Sequence, residues 1–326
     1  MKTEILKLLR ESTEYISGQE LCEHFNVSRT AVWKVINQLK EEGYQIEAVR
    51  NRGYHIVECP DILSREEIES QMQTAWAGRS VVCFEETDST NNQIKKLAEA
   101  GAVHGTLAVA DMQKSGKGRR GRNWESPKGK NIYMSILLRP EMNPSMAPQL
   151  TLVMALSVAQ AMVEAEKIDA RIKWPNDIVL NKKKICGILT EMNTEIDYIN
   201  HVVIGIGINV NDDAIPKELQ EKATSMMLEE KHRVQRSTLI ANIMKCFEQN
   251  YETFAVRKDL SFMQEAYNEI LVNCNQEVTI IGTEQQYHAV AKGINATGEL
   301  IVERDDGTIE EIYSGEVSVR GIYGYV

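Results

Sequence analysis

The stretch KSGKGRRGRNWESPKGK, residues 114–130, carries seven basic residues and one acid, Glu125, in a chain whose formal net charge is -10. Within it, GKGRRG (116–121) has the GxGxxG form of a dinucleotide-binding turn and comes close to a phosphate-binding P-loop. Both motifs need a strand before them and a helix after them, because the phosphate rests on the helix N-terminus. Here NWESPKGKN follows, too rich in Pro and Gly for a helix. Then comes a segment in which Ile132, Met134, Ile136 and Leu138 alternate as in a half-buried strand. Arg122-Asn123 also stands where a P-loop requires Lys followed by Ser or Thr. Both nucleotide motifs fail, so the loop joins two strands in a fold of another kind. Its composition still suits an anion, with glycines, exposed amides and clustered guanidinium groups. A solvated basic loop or a nucleic-acid patch would have the same composition.

Around this loop, strands and helices alternate irregularly. Strands are expected at 81–85, 106–110, 132–138, 170–173, 184–191 and 201–210, and helices at 91–100, 148–166 and 236–272. Hairpin-like links through NKKK and NTEIDYIN predict antiparallel pairing. The fold class is α+β, with a mixed or antiparallel sheet and helices on one face.

Residues 1–62 read as a winged helix-turn-helix. Ser17 with Glu20 forms a capping box, after which Leu21, His24 and Phe25 turn inward. Ser28 caps a second helix whose stripe is Val32, Val35, Ile36 and Leu39, ended by Gly43. Two short strands around Asn51-Arg52-Gly53 make a wing. Ser28, Arg29, Thr30, Trp33, Lys34 and Asn37 on the second helix, with Arg50 and Arg52 on the wing, are candidates for DNA phosphates and base edges. A small protein-interaction domain with a solvated basic face is the alternative. VECPDIL looks like a linker, and Ser64 with Glu67 starts a new helix. Residues 63–275 form the central domain, and 276–326 read as a small β-barrel docked on it.

The 326 residues suffice for two or three domains. No apolar run approaches the roughly 18 residues of a membrane span, and the N-terminus has no signal-peptide pattern. Six cysteines without CxxC spacing predict free thiols in a reducing cytoplasm rather than a zinc site.

Four further segments bear on the basic loop. TDSTNN (87–92) gathers hydroxyls and amides at a helix start, more than capping requires. KWPND (173–177) presents Asn176 and Asp177 beside Lys173, for a metal on phosphates or a proton, although an ordinary Pro-Asn-Asp turn reads the same way. KKKICGILTE (182–191) sets lysines before a strand containing Gly187. In GIGINVN (205–211), Gly205, Gly207 and Asn209 share one strand face and the apolar residues the other, so something flat can approach the bare face.

Together and in this order, TDSTNN, GKGRRGRNWESPKGKNIYMSILLRP, KWPNDI, KKICGILTE and GIGINVN resemble the biotin–protein ligase family. With the N-terminal winged helix, the chain is most similar to the bifunctional form that also represses the biotin operon. The resemblance spans essentially the whole chain. It implies a central domain related to class II aminoacyl-tRNA synthetases and an SH3-like C-terminal barrel. It implies ATP and biotin as substrates, Mg²⁺, a carboxylase biotin carrier domain as acceptor, and a palindromic operator bound by a homodimer that biotinyl-5'-AMP promotes, with no membrane role. Carried over residue by residue, it implies Ser89, Thr90, Asn91, Gln113, Gly116, Lys117, Arg119, Lys184 and Gly187 around biotin. Arg119, Arg120, Arg122, Trp124, Asn176 and Asn209 would serve the nucleotide, with Asn176 and Asn209 near Mg²⁺. Lys184, Arg119 and Asp177 would be catalytic, Asp177 serving a carrier lysine whose unperturbed pKa is about 10.4. The basic loop would close over the product as a lid. Two departures stand out. Lys117 replaces the usual Arg, and 211–232 holds no aromatic to stack on adenine, which leaves Met226 or Met227 for that place.

Overall fold

The computed structural model describes residues 1–195, 198–282, 286–314 and 318–321. At the N-terminus, α1 (Lys2–Glu11), α2 (Gly18–Phe25) and α3 (Arg29–Glu41) precede a hairpin of β1 (Gln45–Val49) and β2 (Gly53–Glu58). Ser17 Oγ accepts the Glu20 N–H at 3.0 Å, and Ser28 Oγ accepts that of Ala31 at 3.3 Å. Helix α3 buries the expected four residues. In α2 the inward residues are Leu21 and Cys22, with Phe25 half-buried. His24 is exposed, against expectation, because the 21/22/25 stripe turns position 24 outward, where its ring meets the edge of Phe25.

The chain continues through α4 (Arg65–Gln71), β3 (Val81–Phe84), α5 (Thr90–Glu99), β4 (Leu107–Ala110), β5 (Gly116–Lys117), β6 (Asn123–Trp124), β7 (Ile132–Leu138) and α6 (Gln149–Glu166). Then come β8 (Arg171–Lys173), β9 (Asp177–Leu180), β10 (Lys183–Thr194), β11 (Ile199–Ile208), α7 (Met226–Glu230), α8 (Arg236–Arg257) and α9 (Gln264–Glu269). The central sheet runs β3-β4-β7-β11-β10-β9-β8. Only β3 and β4 pair in parallel, so the sheet is mixed. Strand β9 was not expected. Its four residues begin at Asp177, the last of KWPND, and the next reversal uses Asn181 and Lys182 at φ 48° and 65°.

Helices cover both faces of this sheet, not one. Ile132, Met134, Ile136 and Leu138 face the large core with α6 and α8. Leu137 and Val203 face α5 through Ile94 and Ala98. Every residue of β7 is therefore buried, where alternation suggested one wet face. Helix α6 lies inside a longer helical stretch with a window apolar enough for a membrane span (mean hydropathy 1.5), contrary to the sequence expectation, but 72% of that window is buried within the protein.

The C-terminal strands β12 (Gln276–Ile281), β13 (Gln286–Ile294), β14 (Leu300–Glu303), β15 (Ile309–Ile312) and β16 (Ser318–Gly321) form an antiparallel sheet ordered β15-β14-β13-β12-β16. Val278, Ile280, Ala291 and Val302 join the central core. Trp174 Nε1 donates to the Gly298 carbonyl at 3.1 Å, tying this sheet to the KWPND turn.

One carboxylate ties the winged helix to the centre. Glu67 is 1% exposed and accepts from Arg10 Nη2 at 2.6 and 2.5 Å, from Ser237 at 2.8 Å, from Gln71 at 3.0 Å and from the Tyr44 hydroxyl. Removing it strands a guanidinium at the seam, at a cost of about 3 kcal/mol. Glu67→Ala is therefore expected to open the seam and to speed limited proteolysis within 58–64 on the order of a hundredfold. An unchanged cleavage rate would show that other contacts hold the seam.

Candidate functional site

The basic loop is rooted on the segment before α5. The amides of Lys114 and Ser115 donate to the carbonyls of Thr87 and Asp88, each at 2.9 Å, and the Thr90 amide donates to Gln113 Oε1 at 2.8 Å. Asp88 was not singled out from sequence. Its carboxylate accepts from Asn92 and Gln93, both at 2.7 Å, and these bonds hold it well below the usual carboxylate range. Ser89 is the N-cap of α5 by position but makes no side-chain cap bond. Ser89, Thr90 and Asn91 are buried polar groups that line a cavity.

That cavity, about 50 Å³, lies over β10 and β11, and also borders Gln113, Lys117, Arg119, Trp124, Lys184 and Gly187. A larger one of about 750 Å³ adjoins it, bordered by Arg120, Arg122, Asp177 and Asn209. Arg119, Trp124, Asn176 and Lys184 border both. Gly116 lines neither. An added Cβ there would sit 2.4 Å from the Trp124 carbonyl, so a bare residue lets β5 pair with β6.

The bare strand face is as expected, and it is covered by the protein's own groups. Gly187 and Gly207 pair across β10 and β11. The indole of Trp124 lies over both; a Cβ on Gly207 would be 2.6 Å from Trp124 Nε1. At Gly205 a Cβ would be 2.1 Å from Asn91 Oδ1. The small cavity has room for one or two waters, so a ring system on this face must displace the indole.

Four charged or amide groups meet where the cavities join. Lys184 Nζ lies 2.5 Å from Asp177 Oδ1 and 5.3 Å from the centroid of the Trp124 ring. Arg119 donates to Asn176 Oδ1 at 2.7 Å and to the Ser314 carbonyl at 2.5 Å. Burial pushes the Arg119 guanidinium down from its ordinary value, against the pull of Asp177. Asn176 Nδ2 donates to the Ile188 carbonyl at 3.1 Å, and Asn209 Nδ2 to that of Thr224 at 3.0 Å, so both oxygens turn away from those bonds.

The loop's seven cations divide into two sets. Lys114 pairs with Glu86, Lys128 with Glu85 and Lys130 with Asp213, all at the surface, Lys130 also bordering the large cavity. Arg119, Arg120, Arg122 and Lys117 border the cavities, Lys117 also donating to Asn92 Oδ1 at 2.8 Å. Met226 is fully buried in the core, and neither it nor Met227 reaches the large cavity. Ile215, Pro216, Leu219 and Ala223 form the apolar wall there instead. Aliphatic residues in a loop carry no distinctive signal, which is why this wall was missed.

In the winged helix, Ser28, Arg29, Thr30, Trp33 and Lys34 are exposed along α3, and Asn37 is half-buried. Arg50 and Arg52 are exposed on the wing, and the Arg52 guanidinium sits 4.3 Å from the ring centroid of Tyr15.

Comparison with known proteins places this geometry. Residues 83–209 match the biotin/lipoate A/B protein ligase family, 2–55 an HTH domain, and 274–320 the biotin protein ligase C-terminal domain. A bifunctional ligase/repressor BirA of Bacillus subtilis (strain 168) is 38% identical over 324 residues, 98% of each chain. The chain belongs to the bifunctional biotin ligase/repressor family. The Escherichia coli (strain K12) protein of the same name is 30% identical over 94% of each chain. A solved biotin protein ligase from Aquifex aeolicus, in complex with biotin and ATP, has a TM-score of 0.66 and 32% identity, covering 74% of this chain and 99% of its own. The match over 83–209 does not by itself separate biotin from lipoate; the full-length relatives of this ligase/repressor do.

Proposed function

We propose that the chain joins the biotin carboxylate to the α-phosphate of ATP, and then passes the biotinyl group to a lysine of a carboxylase carrier domain. The observation that carries this reading is the meeting of Lys184, Arg119 and the bare Gly187/Gly207 face at the junction of a small and a large basic cavity. Three units divide the work: 1–62 for DNA, 63–275 for the ligase and 276–326 as a support for Arg119.

Ser89, Thr90, Asn91, Gln113 and Gly187 hold biotin once the Trp124 indole has moved, with Gly116 and Lys117 shaping the loop above. Arg119 and Lys184 meet the carboxylate, and Arg120, Arg122, Asn176 and Asn209 face the phosphates. A carboxylate oxygen attacks the α-phosphorus and pyrophosphate leaves, its growing charge met by the guanidinium groups. For Lys184 to serve here it must leave Asp177. With the ammonium gone and the Asn176 amide still donating to it at 3.1 Å, the Asp177 carboxylate takes a proton from the attacking carrier amine, while the acyl–phosphate bond breaks and AMP departs. Mg²⁺ would screen the phosphates, with Asn176 and Asn209 within reach. The described residues hold no group of three or more His, Cys, Asp or Glu suited to a metal, which fits an ion carried mainly by the nucleotide.

Biotinyl-5'-AMP is also the signal for repression. Its retention orders the basic loop, favours a homodimer and pairs two α3 helices for a palindromic operator. The test is pyrophosphate release from Mg-ATP with biotin or lipoate in turn, with a biotin carrier domain present, alongside a DNA-shift assay with and without biotin and ATP. Biotin-specific release, labelled carrier and a ligand-dependent shift are expected. Release with lipoate alone overturns the substrate, and a shift indifferent to ligand overturns the corepressor role.

A further inference from the structure

Glu191 lies on β10 away from the reacting groups, and the mechanism above does not use it. It is bound by Lys95 Nζ on Oε1 and by Asn91 Nδ2 on Oε2, both at 2.7 Å. We infer that Glu191 is a positioning residue that sets the hydrogen-bond polarity of the biotin pocket, acting through Asn91 and Ser135 so that Thr90 presents an acceptor to a ureido N–H. The inference rests on the biotin reading of this cavity.

An ionised carboxylate only accepts, so Asn91 must turn its NH₂ to Glu191 and its oxygen the other way. Burial tends to push the Glu191 carboxyl up, but the bonds from Lys95 and Asn91 outweigh it and hold the group below its ordinary value. The Asn91 oxygen then meets the Ser135 hydroxyl at 2.6 Å. Ser135 Oγ also lies 2.7 Å from Thr90 Oγ1. Ser135 has one proton, and a carboxamide oxygen cannot donate, so that proton goes to Asn91. Ser135 must therefore accept from Thr90. The Thr90 hydroxyl proton is spent at 2.7 Å on Ser135 in preference to Gln113 Oε1, 3.2 Å away and already taken by the Thr90 amide. What Thr90 offers to the cavity is a lone pair.

Burial makes this polarity costly to reverse. Ser135 is fully buried, and Asn91 and Thr90 are 4% and 3% exposed, so no solvent replaces a lost bond. Bare Gly205 lets the Asn91 amide press against β11, where any side chain would collide with it. Were Asn91 flipped, its NH₂ would face Ser135, Ser135 would donate to Thr90, and Thr90 would point a proton at the ligand. A cyclic urea carries two N–H donors, so that state opposes it. Ser135 is also the one polar residue among the seven of β7, IYMSILL, which is the sequence signal for this relay.

The test is calorimetric binding to the full-length chain of biotin and of its two cyclic carbamate analogues, in which one ring N–H or the other is replaced by oxygen. Wild type is expected to bind the carbamate lacking the Thr90-facing N–H about tenfold more weakly than biotin. Glu191→Gln frees Asn91 to turn. It is expected to weaken biotin about tenfold while leaving that carbamate's affinity within about twofold. The biotin KM should rise in step, with kcat at saturating biotin and the KM for ATP held. Ser135→Ala cuts the relay one step on and should reproduce the pattern; it carries the test if Glu191→Gln does not fold. Equal weakening of biotin and both carbamates would make Glu191 merely structural and overturn the inference, as would unchanged biotin binding. Absence of biotin binding by wild type would instead overturn the proposed substrate.

Discussion

Lys184→Ala is expected to lower biotin-dependent pyrophosphate release by about a hundred- to a thousandfold. Like Arg119, the lysine borders both cavities, and it is held at a carboxylate that it can leave. A biotin carboxylate approaching ATP brings one anion against another, and the charge on the departing pyrophosphate grows as the bond breaks. Removing a positive charge at that point acts on the transition state more than on either bound substrate, so kcat should fall far more than the KM values rise. Transfer from added biotinyl-5'-AMP should suffer much less, because the alanine removes only the ammonium from Asp177, which Asn176 still holds at 3.1 Å in place for the carrier amine. Lys184→Arg should restore little. A planar fork cannot occupy the ammonium's place beside the Trp124 ring without shifting it. Quenched-flow measurement of each half-reaction separates these outcomes. Equal losses in both halves would mean that Lys184 shapes the site as a whole, and the division of labour with Asp177 would be wrong.

Much of the site was legible because its chemistry needs unusual residues. A strand face stripped to glycine, a loop with four cations beyond those paired at the surface, and a polar cluster exceeding what a helix cap requires all leave marks that packing alone does not explain. What fills a site when no ligand is named was not legible. The resemblance gave Trp124 to the nucleotide, yet its ring covers Gly187 and Gly207. Burial on both faces of β7 was also hidden, because Leu137 at an outward position reads as an exception until α5 is seen to cover it. The largest omission concerned distant acids. Asp61 in a presumed linker and Glu67 in a capping box each satisfy local rules. Their partners Ser237 and Arg236 lie on α8, beyond any local pattern.

Arg236→Ala is expected to destabilise the chain by about 3–5 kcal/mol. Arg236 is 2% exposed at the start of α8. Its Nε meets both Asp61 oxygens at 3.1 and 3.0 Å, its Nη2 the Asp61 carbonyl at 3.0 Å, and its Nη1 both Asp111 at 2.8 Å and the Asn131 carbonyl at 3.1 Å. Truncation leaves two carboxylates beside a hole, with the Asn211 amide at 3.0 Å and the backbone N–H of residue 236 at 3.1 Å still donating to Asp61. Much of the loss is therefore the penalty of leaving those charges uncompensated, rather than the worth of the pair. Two comparisons follow. Arg236→Lys keeps the charge but cannot reach Asp61, Asp111 and the two carbonyls together, so it should fall between wild type and alanine. Arg236→Met with Asp61→Asn and Asp111→Asn removes the stranded charges and should recover part of the loss. The site also feels the change, since Asp111 immediately precedes Met112 and Gln113 at the root of the basic loop. A modest rise in biotin KM should accompany the lost stability, with kcat spared. Denaturant unfolding of the four proteins decides the matter. A loss under about 1 kcal/mol in Arg236→Ala, the range of exposed pairs such as Lys114–Glu86, would show that water reaches the carboxylates and that the linker is not pinned by charge.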